Sequence, residues 1–412
     1  VLHTAKVYSG AASGWIIDQL KPMNIKHTIN KLADKYTPEM ISLRREMHAN
    51  PETAFNEYET TRLLLNKLKS RGLDKVKRIT DTGLYALLNG NKGKCVALRA
   101  DIDALPITED TGLRFSSKNP GTMHACGHDA HSAMVFGAAM ILKDMKKQLG
   151  GSVKFIFQPA EEKNPGGASV LIKSGVLRSP RVDAIFGQHI LPGKPAGKTG
   201  FYPGVMMASQ DEIYITIIGK AGHGARPQGT IDPIVTASQV VLALQTIVSR
   251  NTDPYEPIVI TIGRFSGGTI NNVIPEKVEL SGTVRTLNEK LRQNTLKLIE
   301  RTVKGICLSA GAKYKFTISP GYPELVNSPA QTHFAESAAI EFTGKENVFK
   351  GERFMFAEDF AYYLKQCPGT FYWIGAGNTS GLHTSTLKLD EKLIPKGAAF
   401  MAYLAWDYLQ KH

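Results

Sequence analysis

The chain has 412 residues, 42% of them hydrophobic and 21% charged, with a formal net charge of +13. That composition is ordinary for a globular protein with room for two domains, and no apolar run approaches the roughly 20 residues of a membrane helix, so no membrane span is expected. The positive charge raises nucleic acid as a partner, but the densest basic run (Lys67, Lys69, Arg71, Lys75, Lys77 and Arg78) holds no aromatic residue for base stacking; it reads as a solvated face, and no nucleic-acid partner is expected.

In chain order, the first 22 residues lack the basic start and apolar block of a signal peptide and precede Met23. They are expected to be an appendage upstream of a natural start. "TPEMISLRREMHAN" predicts a helix capped by Thr37, with Pro38 in its first position and its end before Pro51. "LYALLNG" and "CVALRA" predict two strands, and the Asn-Gly between them predicts a hairpin. Ala130 to Lys147 predicts a helix with Met134, Ala138, Ile141, Leu142 and Met145 on one face. "SVKFIFQ" and "VDAIFGQH" predict short buried strands ending in polar residues.

From Ala208 to Tyr322 the pattern changes. Strands "DEIYITIIG", "PIVITIGRF", "KVELSGTVRT" and "KYKFTIS" alternate with helices at Asp232–Arg250 and in "NEKLRQNTLKLIERTVKGICLSAG". The order β-α-β-β-α-β is that of a ferredoxin-like unit. "FYPGVMMAS" and "SPGYPE" bracket it and read as hinges, and the α/β pattern then resumes to a helix near Lys392–Gln410. The expectation is an α/β fold: a catalytic domain over residues 23–207 and 323–412, its mixed sheet flanked by helices, with an α+β domain inserted at 208–322. Cys95, Cys126, Cys307 and Cys367 are scattered without a C-x-x-C pair, which predicts a reduced, cytoplasmic protein.

Metal-binding side chains recur just past these strands. "MHACGHDAH" places Cys126 and His128 ahead of a helix; Glu161 and Glu162 follow "SVKFIFQ"; His189 follows "VDAIFGQ"; Asp101 ends "CVALRA", with Asp103 two residues on; His383 follows "TFYWIGAG". One sheet edge can gather them all. A structural zinc site takes closely clustered ligands, whereas this spread of imidazole and carboxylate fits a catalytic site, with room for two metals and a bridging group. Of the adjacent glutamates, one can bind metal while its neighbour serves as general base.

"ALRADIDALPI", "MHACGHDAH", "FQPAEE", "GQHILP", "GKAGHGARP", "GGTINNVIP", "AEDFAYYL" and "GLHT" occur in the order seen in the M20 metallopeptidases. The chain most resembles their amidohydrolase branch, which includes indole-acetyl-amino-acid, hippurate and other N-acyl-amino-acid hydrolases. The likeness runs from about Arg44 to the C-terminus.

The resemblance implies that Cys126, His128, Glu162, His189 and His383 bind two divalent ions (zinc, manganese, nickel or cobalt), with Cys126 shared. It implies Glu161 as the general acid/base and Asp101 as a residue supporting the ligands; His124 and His131 carry no ligand role in the family pattern and read as structural or as further supports of the ligands. The inserted unit resembles a lid and dimerisation domain. His223 matches a histidine that, in relatives, reaches the neighbouring subunit's site to polarise the scissile carbonyl, and Asn272 and Arg285 match substrate-contact positions. Gln228 stands where many relatives have a histidine after Arg-Pro. The implied activity is cleavage of N-acyl or N-aroyl amino acids by a homodimer, or a tetramer built from it. A dipeptidase or carboxypeptidase of the same superfamily is the alternative. A non-catalytic conjugate-binding protein is disfavoured, because a binder has no need of Glu161.

Overall fold

The apolar runs outside the inserted unit form one mixed sheet. In the computed structural model, which describes residues 24–412, its eight strands lie in the order Lys75–Arg78, Leu84–Asn89, Ser152–Gln158, Cys95–Asp101, Ala184–Leu191, Gly369–Gly375, Thr199–Phe201 and Val348–Lys350. Residues 1–22, expected to be an appendage, lie outside the described residues. Ser152–Gln158, Cys95–Asp101, Ala184–Leu191 and Gly369–Gly375 run parallel at the centre. The last three are buried along their whole length, which is why they read as mainly apolar runs rather than alternating ones.

The hairpin expected after Leu84–Asn89 does not form. Ser152–Gln158 inserts between its two strands, antiparallel to Leu84–Asn89 and parallel to Cys95–Asp101. The glycines of the connecting loop serve close approach instead of a tight turn. Gly90 N donates to Gly151 O at 3.1 Å, and a Cβ on Gly93 would stand 2.0 Å from Gly150 O. An Asn-Gly signal is local and carries no information about a strand that arrives much later.

The first helix also departs from its signal. It runs Ile25–Ala49, capped by Asn24, whose side chain accepts from His27 N at 3.2 Å, and Pro38 lies inside it. Pro38 and Asp34 are both exposed, so the carbonyl that loses its i+4 partner lies on the solvent side. Helix His128–Asp144 starts ahead of the expected Ala130 and takes His128 and Asp129 into its first turn. It packs between Ile25–Ala49 and Leu393–Lys411 on one face of the sheet. Met134, Ile141 and Leu142 are fully buried there, each contributing about 1.5–3 kcal/mol.

The second sheet is built from residues 209–320. Ser209–Ile218, Pro233–Arg250, Ile258–Gly267, Lys277–Thr286, Glu289–Ser309 and Lys313–Pro320 follow in the order β-α-β-β-α-β. The strands lie side by side as Ile258–Gly267, Lys277–Thr286, Ser209–Ile218 and Lys313–Pro320, each antiparallel to its neighbour, which is the ferredoxin-like arrangement. Asp232 and Asn288 cap the two helices with their side chains. Of the bracketing segments, the first is paired: its Gly204–Met207 runs antiparallel to Leu325–Asn327, just past the second.

Candidate active site

The parallel strands bring their polar ends to one edge of the large sheet, where ligand crevices form in open α/β sheets. Asp101 closes its strand, and Gln158 leads through Pro159 and Ala160 to Glu161 and Glu162. His189 lies inside Ala184–Leu191 rather than after it, because the strand continues through Ile190 and Leu191. His383 comes from the loop after Gly369–Gly375, and Cys126 from the turn before helix His128–Asp144. Gly127, between Cys126 and His128, has φ +83°, and a Cβ there would stand 2.5 Å from Ile190 Cδ1. Only glycine fits that turn without strain.

Two donor sets share one sulfur. Cys126, His128 and His189 present ligand atoms within 4.8 Å of one another, and so do Cys126, Glu162 and His383. His189 Nδ1 donates to Ile190 O at 2.8 Å, leaving Nε2 as a lone pair 3.3 Å from Cys126 Sγ. His128 Nδ1 donates to Asp103 O at 2.9 Å, leaving Nε2 buried with no hydrogen-bond partner. Glu162 Oε1 is likewise orphaned: His383 Nε2 lies 3.0 Å away but outside hydrogen-bond geometry. The first set is buried, while the His383 side chain is 50% exposed, so the second set borders solvent. Asp101, His128 and His131 also converge. His131, however, donates from Nδ1 to Asp101 Oδ1 at 2.8 Å and accepts from Ile190 N at Nε2, so neither ring nitrogen is left over.

The charges favour a cation between these groups. Burial opposes a charged His128 ring, yet Asp101, Asp103 and Glu162 together raise its pKa to about 10, so positive charge is welcome at Nε2. Burial and the carboxylates of Glu162, Glu161 and Asp101 hold the Cys126 thiol well above its ordinary range, so it needs a cation nearby to ionise. Thiolate, imidazole and carboxylate together suit a borderline transition metal better than calcium or magnesium. The adjacent glutamates diverge. Burial, then Glu358 and Glu162, push Glu161 well up, whereas His383 and His128 outweigh burial and bring Glu162 down.

Further residues complete the site: Asp103 is marked by its place just past Cys95–Asp101, whereas Glu57 and Tyr322 carry no local signal. Asp103 accepts from His128 Nδ1 at 3.2 Å and from Glu162 N at 3.0 Å, so one carboxylate fixes two donors. Glu57 accepts from Ala160 N at 2.7 Å, and Tyr322 donates to Glu161 O at 2.5 Å. Three consecutive residues of the loop are thus held from outside it. Ala160 has φ +50° and His383 φ +60°, left-handed conformations that persist only where surroundings impose them. Behind Glu161, Arg99 contacts Asp101 at 2.7 Å, Glu358 at 3.0 Å and Asp359 at 2.9 Å, offsetting a buried acidic cluster.

Asp129, next to His128, ties the turn to helix Ile25–Ala49. Its Oδ2 accepts from Arg44 Nε at 2.9 Å and from His48 Nδ1 at 2.8 Å; Arg44 also pairs with Glu391 at 3.0 Å. Despite burial, Arg44 and His48 hold the Asp129 carboxyl far below its ordinary range, and Asp129 raises His48 against the burial that would lower it. The Asp129 contribution is therefore present above the usual carboxylate pKa of about 4 and fades as pH falls below it. The His48 contribution is complete below its usual pKa and fades as pH rises through the raised one. Asp129→Asn is expected to cost about 3–5 kcal/mol near neutral pH, with the gap to wild type narrowing in acid. Urea unfolding at several pH values checks both.

His223, Asn272 and Arg285 lie on the second unit and join none of these donor sets. His223 is exposed in the short strand Gly222–His223, which pairs with Val273–Ile274; Asn272 is exposed beside it. Arg285 is half-buried, has no carboxylate partner among the described residues, and reaches Met355 O at 3.4 Å.

The model of peptidase family M20/M25/M40 matches residues 97–407. An N-acyl-L-amino acid amidohydrolase of Geobacillus stearothermophilus is 45% identical over 303 residues, 73% of this chain and 81% of that protein. IAA-amino acid hydrolase ILR1-like 5 of Arabidopsis thaliana is 38% identical over 379 residues, covering 90% of this chain and 86% of that one. Among solved structures, the Bacillus subtilis YXEP protein, described as a dinuclear metal-binding peptidase from the M20 family, superposes with a TM-score of 0.80 at 37% identity, covering 92% of this chain and 100% of that one. Half or more of the chain falls within the family match, and the relatives extend it nearly end to end: the chain belongs to peptidase family M20/M25/M40 and is a metal-dependent amidohydrolase.

Proposed function

We propose that the chain cleaves the amide bond of N-acyl or N-aroyl amino acids, releasing a carboxylic acid and a free amino acid. The observation that carries this reading is the pair of donor sets meeting at Cys126 beside two glutamates whose proton affinities diverge. Cys126, His128, Glu162, His189 and His383 would hold two divalent ions, Cys126 being common to both donor sets; when bound, such ions would supply Lewis acidity that lowers the pKa of water toward neutrality and polarises an amide carbonyl. Glu161, kept basic by its acidic surroundings, takes the proton of the attacking water and returns it to the leaving nitrogen. Asp103 keeps His128 and Glu162 in place, and Asp101 fixes His131 against the Ile190 peptide next to His189.

Residues 208–322 act as lid and dimerisation domain in this reading. Ile234, Val235, Leu242, Ile270 and Val273 expose apolar surface there, and Ile258–Gly267 is an open sheet edge; both support pairing with a second copy. His223 Nδ1 accepts from Ala225 N at 3.1 Å, which puts the ring proton on Nε2 as a donor for the oxyanion in the neighbouring subunit. Four free, buried cysteines support a reducing, cytoplasmic setting.

Arg285, half-buried and without a carboxylate partner among the described residues, binds the amino-acid carboxylate, and Asn272 contacts the substrate from its exposed position before Val273–Ile274. Arg285→Ala is expected to raise KM about 10- to 100-fold with kcat little changed, as for loss of a charge-assisted bond. The reading as a whole is tested by a panel of acetyl, aroyl and longer acyl conjugates against dipeptides. Conjugates are expected to exceed dipeptides in kcat/KM by about tenfold or more; equal or faster dipeptide cleavage would move the assignment to the peptidase branch.

A further inference from the structure

We infer that Tyr322 is a positioning residue that couples the placement of Glu161 to the linker leaving the ferredoxin-like unit; this rests on Glu161 being the base. Tyr322 is 5% exposed and follows Lys313–Pro320, the last strand of that unit. Its hydroxyl donates to Glu161 O at 2.5 Å. Its own carbonyl accepts from Gln210 N at 2.9 Å, and Gly321 N donates to Asp211 Oδ1 at 3.3 Å. Asp211 is itself clamped by Arg292 at 2.6 and 2.7 Å, so the Tyr322 backbone is tied to the first strand of the inserted unit.

The other two holds on this loop come from the large-sheet side. Glu57 takes Ala160 N, and Asp103 takes Glu162 N. Glu161 O is thus the one anchored peptide group of the three whose partner is bonded to the inserted unit, through Gln210 and Asp211, while Tyr362 of the large-sheet side donates to Gly321 O at 3.2 Å. Ala160, at φ +50°, leaves the loop without a relaxed conformation of its own to fall back on. A shift of the inserted unit relative to the sheet moves the tyrosine backbone, then its hydroxyl, then the Glu161 peptide. Substrate closure of that unit and correct aim of the Glu161 carboxylate become one event.

Tyr322→Phe removes the hydroxyl and keeps the ring. With the best conjugate from the panel, kcat is expected to fall about 10- to 100-fold, while KM stays within about twofold and metal content is unchanged. A purely structural role would instead appear as lower metal content or a general loss of stability with kcat per folded, loaded chain unaltered, and that outcome overturns the inference. Gly321→Ala is the second variant, because its Cβ would stand 2.2 Å from Gln210 O and displace the linker with the hydroxyl intact. It should lower kcat in the same way, and the double variant should be no slower than the slower single one. Multiplying effects would overturn the coupling. Glu161→Gln, measured alongside, separates the two levels: near-normal activity there removes the base and this inference with it, whereas its loss together with wild-type turnover in Tyr322→Phe removes only the positioning role.

Discussion

Glu161→Gln is expected to keep its metal and lose about 10²–10⁴-fold in turnover. The substitution preserves volume and leaves the backbone hold from Tyr322 intact, since that bond is to the Glu161 carbonyl. It deletes the one carboxylate in the loop that burial and four acidic neighbours, Glu358, Glu162, Asp359 and Asp103, keep eager for a proton. The amide cannot accept a proton from water and return it to an amine. Steady-state kinetics with elemental analysis on the same sample checks the expectation. Turnover within a few-fold of wild type would remove Glu161 from the chemistry.

Cys126→Ala is expected to empty both metal positions. Each donor set consists of three side chains, and Cys126 is common to the two. Loss of a residue that merely orients a ligand typically costs about 10- to 100-fold in metal affinity, so loss of a shared donor should cost at least that at both positions. His383→Ala removes a donor from one set alone and should leave the buried set of Cys126, His128 and His189 loaded. Metal per chain, measured after dialysis against a weak chelator, distinguishes the two. Equal stoichiometry in Cys126→Ala and wild type would separate the sulfur from the metal.

The strands that carry the site were legible because burial on both faces writes itself as a short, mainly apolar run: Ser152–Gln158 begins and ends where "SVKFIFQ" does. Its position in the sheet was not, because it depends on a strand pairing that no local turn signal encodes. Pro38 misplaced the start of the first helix, since proline punctuates a helix only where the lost hydrogen bond cannot be given to solvent. Cys126, His128, Glu161, Glu162, His189 and His383, which the fold brings together, were legible because their types are rare together and each lies near or past the end of an apolar strand or at the start of helix His128–Asp144. Glu57, Asp103 and Tyr322 act through backbone groups far along the chain. Glu57 reads as an ordinary acid before helix Tyr58–Ser70, and Tyr322 as a loop aromatic. Nothing in their immediate surroundings says which peptide group they hold.

The most direct measurement is anomalous diffraction from crystals of the protein loaded with a single kind of divalent ion. Two peaks are expected, both within bonding distance of Cys126 Sγ, about 2.3 Å for zinc. One should be completed by His128 and His189, the other by Glu162 and His383, with Glu161 bound to neither ion. A single peak, or two peaks that leave Cys126 uncoordinated, would contradict a shared-sulfur centre with Glu161 as its base.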